Sequence, residues 1–118
     1  MRMNKLVYCI TTKTKWALAQ KQGEYVDESL ETQGFIHCTY PHQLLGVANK
    51  HFKGVENLLI LCIDPIQLTS HFVDENPSNL QDLYPHIYGV INLDAVVDVY
   101  HFQTKLDGAL CLPEKLDS

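Results

Sequence analysis

The feature that most constrains this chain is residues 57–63, Asn-Leu-Leu-Ile-Leu-Cys-Ile, an almost unbroken apolar run closed by Asp64-Pro65. A strand with one face in water alternates apolar and polar side chains. A continuous apolar run instead predicts a central strand covered on both faces. Whatever else folds here must therefore supply two layers of cover.

The flanking segments supply candidates. Residues 6–11 read as a strand, and Thr12 or Thr14 caps a helix running to about Gln22, with Trp16, Leu18 and Ala19 apolar and Gly23 placed to end it. Residues 24–33 are polar and aperiodic and read as a loop, after which residues 35–39 read as a short strand. Pro41 suits the first turn of a second helix, whose Leu44, Leu45, Val47, Ala48 and Phe52 make an apolar stripe ending at Gly54. His71-Phe72-Val73 is a weaker strand, residues 74–83 a polar loop, and residues 95–102 a final strand. The result is an α+β domain over residues 1–104 with two helices in its N-terminal half, followed by a loosely held tail, 105–118.

A chain of 118 residues buries about two-thirds of its unfolded surface on folding, enough for one core without staples. No apolar run approaches the ~20 residues of a membrane span, and Leu6 to Ile10 is too short for the apolar region of a signal peptide. A cytoplasmic location is expected. The cysteines, Cys9, Cys38, Cys62 and Cys111, are widely spaced without a Cys-x-x-Cys pair, which predicts reduced thiols and gives no support to a zinc knuckle. A net charge of −5 with a single arginine, Arg2, argues against general nucleic-acid binding.

Two of the six histidines sit in segments suited to displaying them: Gly34-Phe35-Ile36-His37-Cys38-Thr39 and Tyr84-Pro85-His86-Ile87-Tyr88-Gly89. Imidazole is the side chain best suited to acid, base or ligand roles near neutral pH. Strand alternation puts Phe35, His37 and Thr39 on one face and Ile36 and Cys38 on the other. That separation disfavours a nucleophilic pair of Cys38 with His37. Pro85 makes Tyr84 extended and Gly89 allows a turn after Tyr88, so His86 and Tyr88 are expected at the mouth of a pocket shared with His37 and Thr39. Zinc held by His37, His86 and Cys9 lacks the close spacing such sites show, so no metal is expected. His42 and His51, nine residues apart on the second helix, are expected on opposite faces in solvent, and His71 and His101 at strand ends without a role.

Tyr8-Cys9-Ile10-Thr11-Thr12, residues 29–39, residues 43–49, Ile63-Asp64-Pro65, Pro85-His86-Ile87-Tyr88-Gly89 and Asn92-Leu93-Asp94-Ala95-Val96 together resemble the small bacterial family called domain-of-unknown-function 952, over roughly residues 6 to 102. The resemblance implies the fold of the ADP-ribosyltransferases, a split and mostly antiparallel sheet whose cleft takes the nicotinamide and ribose of NAD. By this likeness His37, His86 and Glu75 are the catalytic candidates. Cys9, Glu31, Thr39, Tyr88 and Gly89 are the candidates for holding a nucleotide, with NAD as the implied cofactor. His86 would act as acid or base, Glu75 or Glu31 would supply a carboxylate, Tyr88 would stack on a flat ring, and His37 with Thr39 would hold ribose hydroxyls or phosphate. Cys9 stands where the family has a histidine, and a thiol is the weaker hydrogen-bond partner. Three functions are consistent with these residues: cleavage or transfer of an ADP-ribosyl group, non-catalytic binding of a nucleotide or sugar phosphate, and protein interaction with histidines that are only structural.

Overall fold

The structure, a computed structural model, describes residues 6–75 and 83–112. In chain order these form β1 (Val7–Thr12), α1 (Lys13–Gln22), β2 (Glu24–Tyr25), α2 (Ser29–Thr32), β3 (Ile36–His37) and α3 (Pro41–His51). There follow β4 (Leu58–Ile63), β5 (His71–Glu75), β6 (Tyr84–Tyr88), β7 (Ile91–Asn92), β8 (Val96–His101), β9 (Gln103–Thr104) and β10 (Leu110–Cys111). The class is α+β, and the described strand pairs are antiparallel.

The apolar run is the centre of the first sheet, ordered β1-β4-β8, and all six residues of β4 are buried. On one face Leu61 and Ile63 join Val7, Cys9, Ala19, Ile36 and Ile87, so α1 and the underside of the second sheet cover it. On the other, Ile60 and Cys62 pack with Tyr8 and with Leu44 of α3. The second sheet, ordered β3-β6-β5, meets the first at one bridge, where Tyr8 and Thr39 exchange backbone hydrogen bonds of 2.8 and 2.7 Å. Pro85 explains why β3 is so short. Cys38 N–H donates to the Pro85 carbonyl at 3.0 Å, but proline has no N–H to return, and the ladder ends at the His37/His86 pair.

Local signals explain the helices. Thr12 Oγ1 accepts from Lys15 N–H at 3.2 Å and caps α1, and Gly23, at φ 88°, closes it with an N–H bond to the Ala19 carbonyl. Gln43 Oε1 accepts from Tyr40 N–H at 3.0 Å while its amide nitrogen donates to the Leu83 carbonyl at 2.7 Å, tying the start of α3 to β6.

The structure corrects four expectations. The 24–33 segment is not all loop: Glu24 and Tyr25 pair with β7, and the Asp27 carboxylate takes the N–H and hydroxyl of Ser29 at 3.0 and 2.7 Å, starting a third helix of one turn, too short to show periodicity. The weak strand at His71 extends to Glu75 because every residue of it pairs with β6. The 84–88 segment, expected as a short piece at the mouth of a pocket, is the middle strand of the second sheet. Nor are residues 105–112 loose: β10 returns on β9, Leu110 is buried with Ala48 and Leu58, and its backbone makes two bonds with the Asn49 side chain at 2.8 and 3.0 Å. The remainder of the expected tail, 113–118, lies outside the described residues. No described helix is long and apolar enough to cross a membrane.

Candidate functional site

The second sheet has two chemically different faces. Ile36, Cys38 and Ile87 point into the core, and the strand pairings put His37 opposite His86, Val73 opposite His86 and Glu75 opposite Tyr84 on the outer face. Between that face and α3 lies a cleft of about 840 Å³. His37, Thr39, Tyr84 and His86 line its sheet side, Tyr8 and Ile10 its floor. His37 and Thr39, on one face as alternation predicts, thus share a cleft with His86.

His86 is held on several sides. Its ring stacks on Phe35 with centroids 3.9 Å apart, the His37 ring meets it edge-on at 5.4 Å, and Nδ1 lies 2.7 Å from Glu75 Oε1. The same carboxylate oxygen accepts from the Tyr88 hydroxyl. These bonds, first that from Tyr88 and then that from His86, hold the Glu75 carboxyl below its usual range, and the carboxylate in turn raises the Tyr88 phenol. An ionised Glu75 accepts, so Nδ1 donates to it and Nε2 is the ring nitrogen left for the cleft. His37 Nε2 lies 2.8 Å from Gln33 Oε1, which can only accept. His37 thus keeps its lone pair on Nδ1, and burial, then the nearby His86, lower its pKa so that it stays neutral near pH 7.

Other expected residues take different places. Tyr88 does not line the cleft: its ring lies 5.4 Å from Phe35, behind His86, so it supports the carboxylate and presents no stacking surface to the hollow. Glu75 likewise reaches the cleft only through His86. Cys9 points with Val7 into the core, because alternation turns its neighbours Tyr8 and Ile10 toward the cleft. Glu31 is exposed on α2 and borders no part of the cleft. Gly89 is required from within the protein: a Cβ there would stand 2.4 Å from Ser70 Oγ, whose hydroxyl donates to the Val90 carbonyl at 2.6 Å. Cys38 borders the cleft, but contact with the Cys9 thiol and burial push its own thiol well above the usual range, which opposes a thiolate nucleophile.

A further wall of the site comes from α3. His42 and His51 are exposed on opposite faces of the helix, as expected, and both also line the cleft, as do Gly46 and Lys50. At about 100° per residue the lining positions of α3 sweep roughly half its circumference, with Lys50 near the middle and the two histidines at the rims. Opposite faces of a helix can thus border one broad cleft. Among the described residues, no three His, Cys, Asp or Glu side chains are placed to hold a metal ion.

Comparison with known proteins agrees with this architecture. A crystal structure of protein CC0527 from Caulobacter crescentus is 26% identical and superposes with a TM-score of 0.85 over 96% of this chain and 99% of that one. The solution NMR structure of CC0527 gives 0.72 at 25% identity, over 96% and 95%. No curated protein matches the chain. The family model described as "Protein of unknown function (DUF952)" matches residues 10–99, most of the chain, and the protein belongs to that family.

Proposed function

We propose that the cleft binds NAD or an ADP-ribose-like nucleotide, and that His86, backed by Glu75, serves as the acid/base group in cleaving or transferring the ADP-ribosyl unit. The observation that carries this reading is the relay from Tyr88 and Glu75 to His86, which leaves the second imidazole nitrogen, Nε2, for a cleft large enough for a nucleotide. Two three-stranded antiparallel sheets joined at a single bridge also suit the split sheet that the family resemblance implies.

In such a reaction the bond from ribose C1′ to the nicotinamide nitrogen breaks, and nicotinamide departs neutral with the bonding pair. A hydroxyl of water or of an acceptor forms the new C1′–O bond, and its proton passes to His86 Nε2 and on to solvent. Glu75 orients the ring and stabilises the imidazolium, as a carboxylate does behind a catalytic histidine. In this reading His37 and the buried Thr39, which both line the cleft, contact the sugar.

The test is release of nicotinamide from NAD. Activity that falls by about 10²–10⁴-fold in His86→Gln is the expected result. A folded protein that releases no nicotinamide, and whose Tm NAD and ADP-ribose leave unmoved, would overturn the reading. A second reading, binding without turnover, is favoured by one observation: the Glu75 carboxylate is occupied by His86 and Tyr88 and does not face the cleft. In that case ligand raises Tm by mass action while nicotinamide stays bound to its ribose.

A further inference from the structure

The α3 wall contains a residue that the fold does not explain. Gly46 sits inside the helix, where glycine is the poorest former after proline. It is not among the glycines at positive φ, so the backbone does not demand it. A Cβ added there would meet nothing within 4 Å, so packing does not demand it either. What its bare Cα does provide is a gap in the side-chain cover of the helix, opening on the cleft.

Lys50 stands beside that gap as an ammonium. His42 and Lys50 lie one helical turn either side of Gly46, and His51 closes the far rim. Among the described residues no carboxylate lines the cleft, although the chain has 14 acidic residues against 9 lysines and arginines. Among the described residues the lining of this hollow is thus an ammonium and four imidazoles without an acid. A solvated charged helix face would need neither a glycine nor continuity with His86.

We propose that the His42-Gly46-Lys50 stripe of α3 is a bed for a phosphoanion, with the phosphates of the ligand lying against the bare backbone at Gly46 and paired with Lys50. The stripe spans about 12 Å, room for a diphosphate with an attached sugar, whose far end then reaches His37 and His86. This names the charged part of the ligand and rests on the cleft being a nucleotide site. It does not rest on any turnover there.

The experiment is an NMR titration of the protein with inorganic pyrophosphate and, separately, with ADP-ribose. Pyrophosphate is expected to move the amide signals of α3 around Gly46 and Lys50, with affinity falling as salt rises. Lys50→Gln is expected to weaken both ligands by about tenfold, the loss of one charge-assisted contact. Gly46→Leu, whose side chain enters open space, should keep or raise Tm yet abolish ADP-ribose binding. His86→Gln should leave pyrophosphate binding intact. Wild-type affinity for both ligands in Gly46→Leu, or pyrophosphate shifts absent from α3, would overturn the proposal. Pyrophosphate bound on α3 by a protein that neither binds nor cleaves NAD would instead uphold the phosphate bed and remove the nucleotide reading.

Discussion

The two three-stranded sheets have the same antiparallel architecture and opposite chemistry. β4 fills the middle of one with six buried residues, Leu-Leu-Ile-Leu-Cys-Ile, because α1 and the second sheet cover one face and α3 the other. β6 fills the middle of the other with Tyr-Pro-His-Ile-Tyr, of which Ile87 faces the core while Tyr84, His86 and Tyr88 face outward. One sheet has apolar partners on both sides and serves stability. The other keeps an apolar underside and spends its outer face on polar side chains that touch one another and a cleft. A sheet with an apolar underside and a polar outer face is where a small domain can hold chemistry without giving up its core.

That division can be broken by mutation. Leu61→Ala, in the centre of β4, is expected to cost about 2–5 kcal/mol in urea unfolding, from lost burial and the cavity left behind. His37→Ala on the outer face should fall within about 0.5 kcal/mol. Equal costs at the two positions would mean that the sheets do not differ in role. A smaller effect sharpens the boundary of the stable half: Asn49→Ala removes both bonds to the Leu110 backbone, at about 1–3 kcal/mol in all, and should speed hydrogen exchange at the Leu110 amide. An unchanged exchange rate there would show that the hairpin is held by something other than Asn49.

The smallest expected effects concern pH, and they separate the sheets by shape rather than size. His37 titrates below its usual 6.5 in the folded protein, so the unfolded chain binds more protons there. Its stability contribution is complete above pH 6.5 and declines as pH falls through the lowered folded value. Glu75 is held below its usual 4.5, so its contribution is present above that pH and disappears as pH falls through its own lowered value. Stability curves measured from pH 8 to 3 should lose the upper inflection in His37→Gln and the lower one in Glu75→Gln, whereas Leu61→Ala should lower the whole curve with its shape unchanged. A change of shape in Leu61→Ala would link the core to the titrating face.

Much of this was readable in the residues. The central strand, both long helices and the shared face of His37 and Thr39 follow from patterns spanning a few neighbours: an unbroken apolar run, a capping threonine, a proline in a first turn, alternation along a strand. The core position of Cys9 was equally readable, since alternation in Tyr8-Cys9-Ile10 sets it opposite its neighbours, but the family resemblance pointed the other way. The single turn of α2 escaped because it contains less than one period of any pattern. The 105–112 segment escaped because its anchor, Asn49, lies 61 residues earlier.

By itself the amino-acid order determined which side chains share a face, where helices start and stop, and that one strand had to be buried twice over. Those are properties of local geometry and of the cost of leaving apolar surface in water. Only the tertiary structure decided what stands across from each face: that α3 closes the hollow over His86, that Tyr88 backs Glu75 instead of meeting a ligand, and that His42, Lys50 and His51 border the same space. The physical reason is that a cleft is made of surfaces distant in the chain. Their approach is set by packing of the whole core, to which no short window of sequence has access.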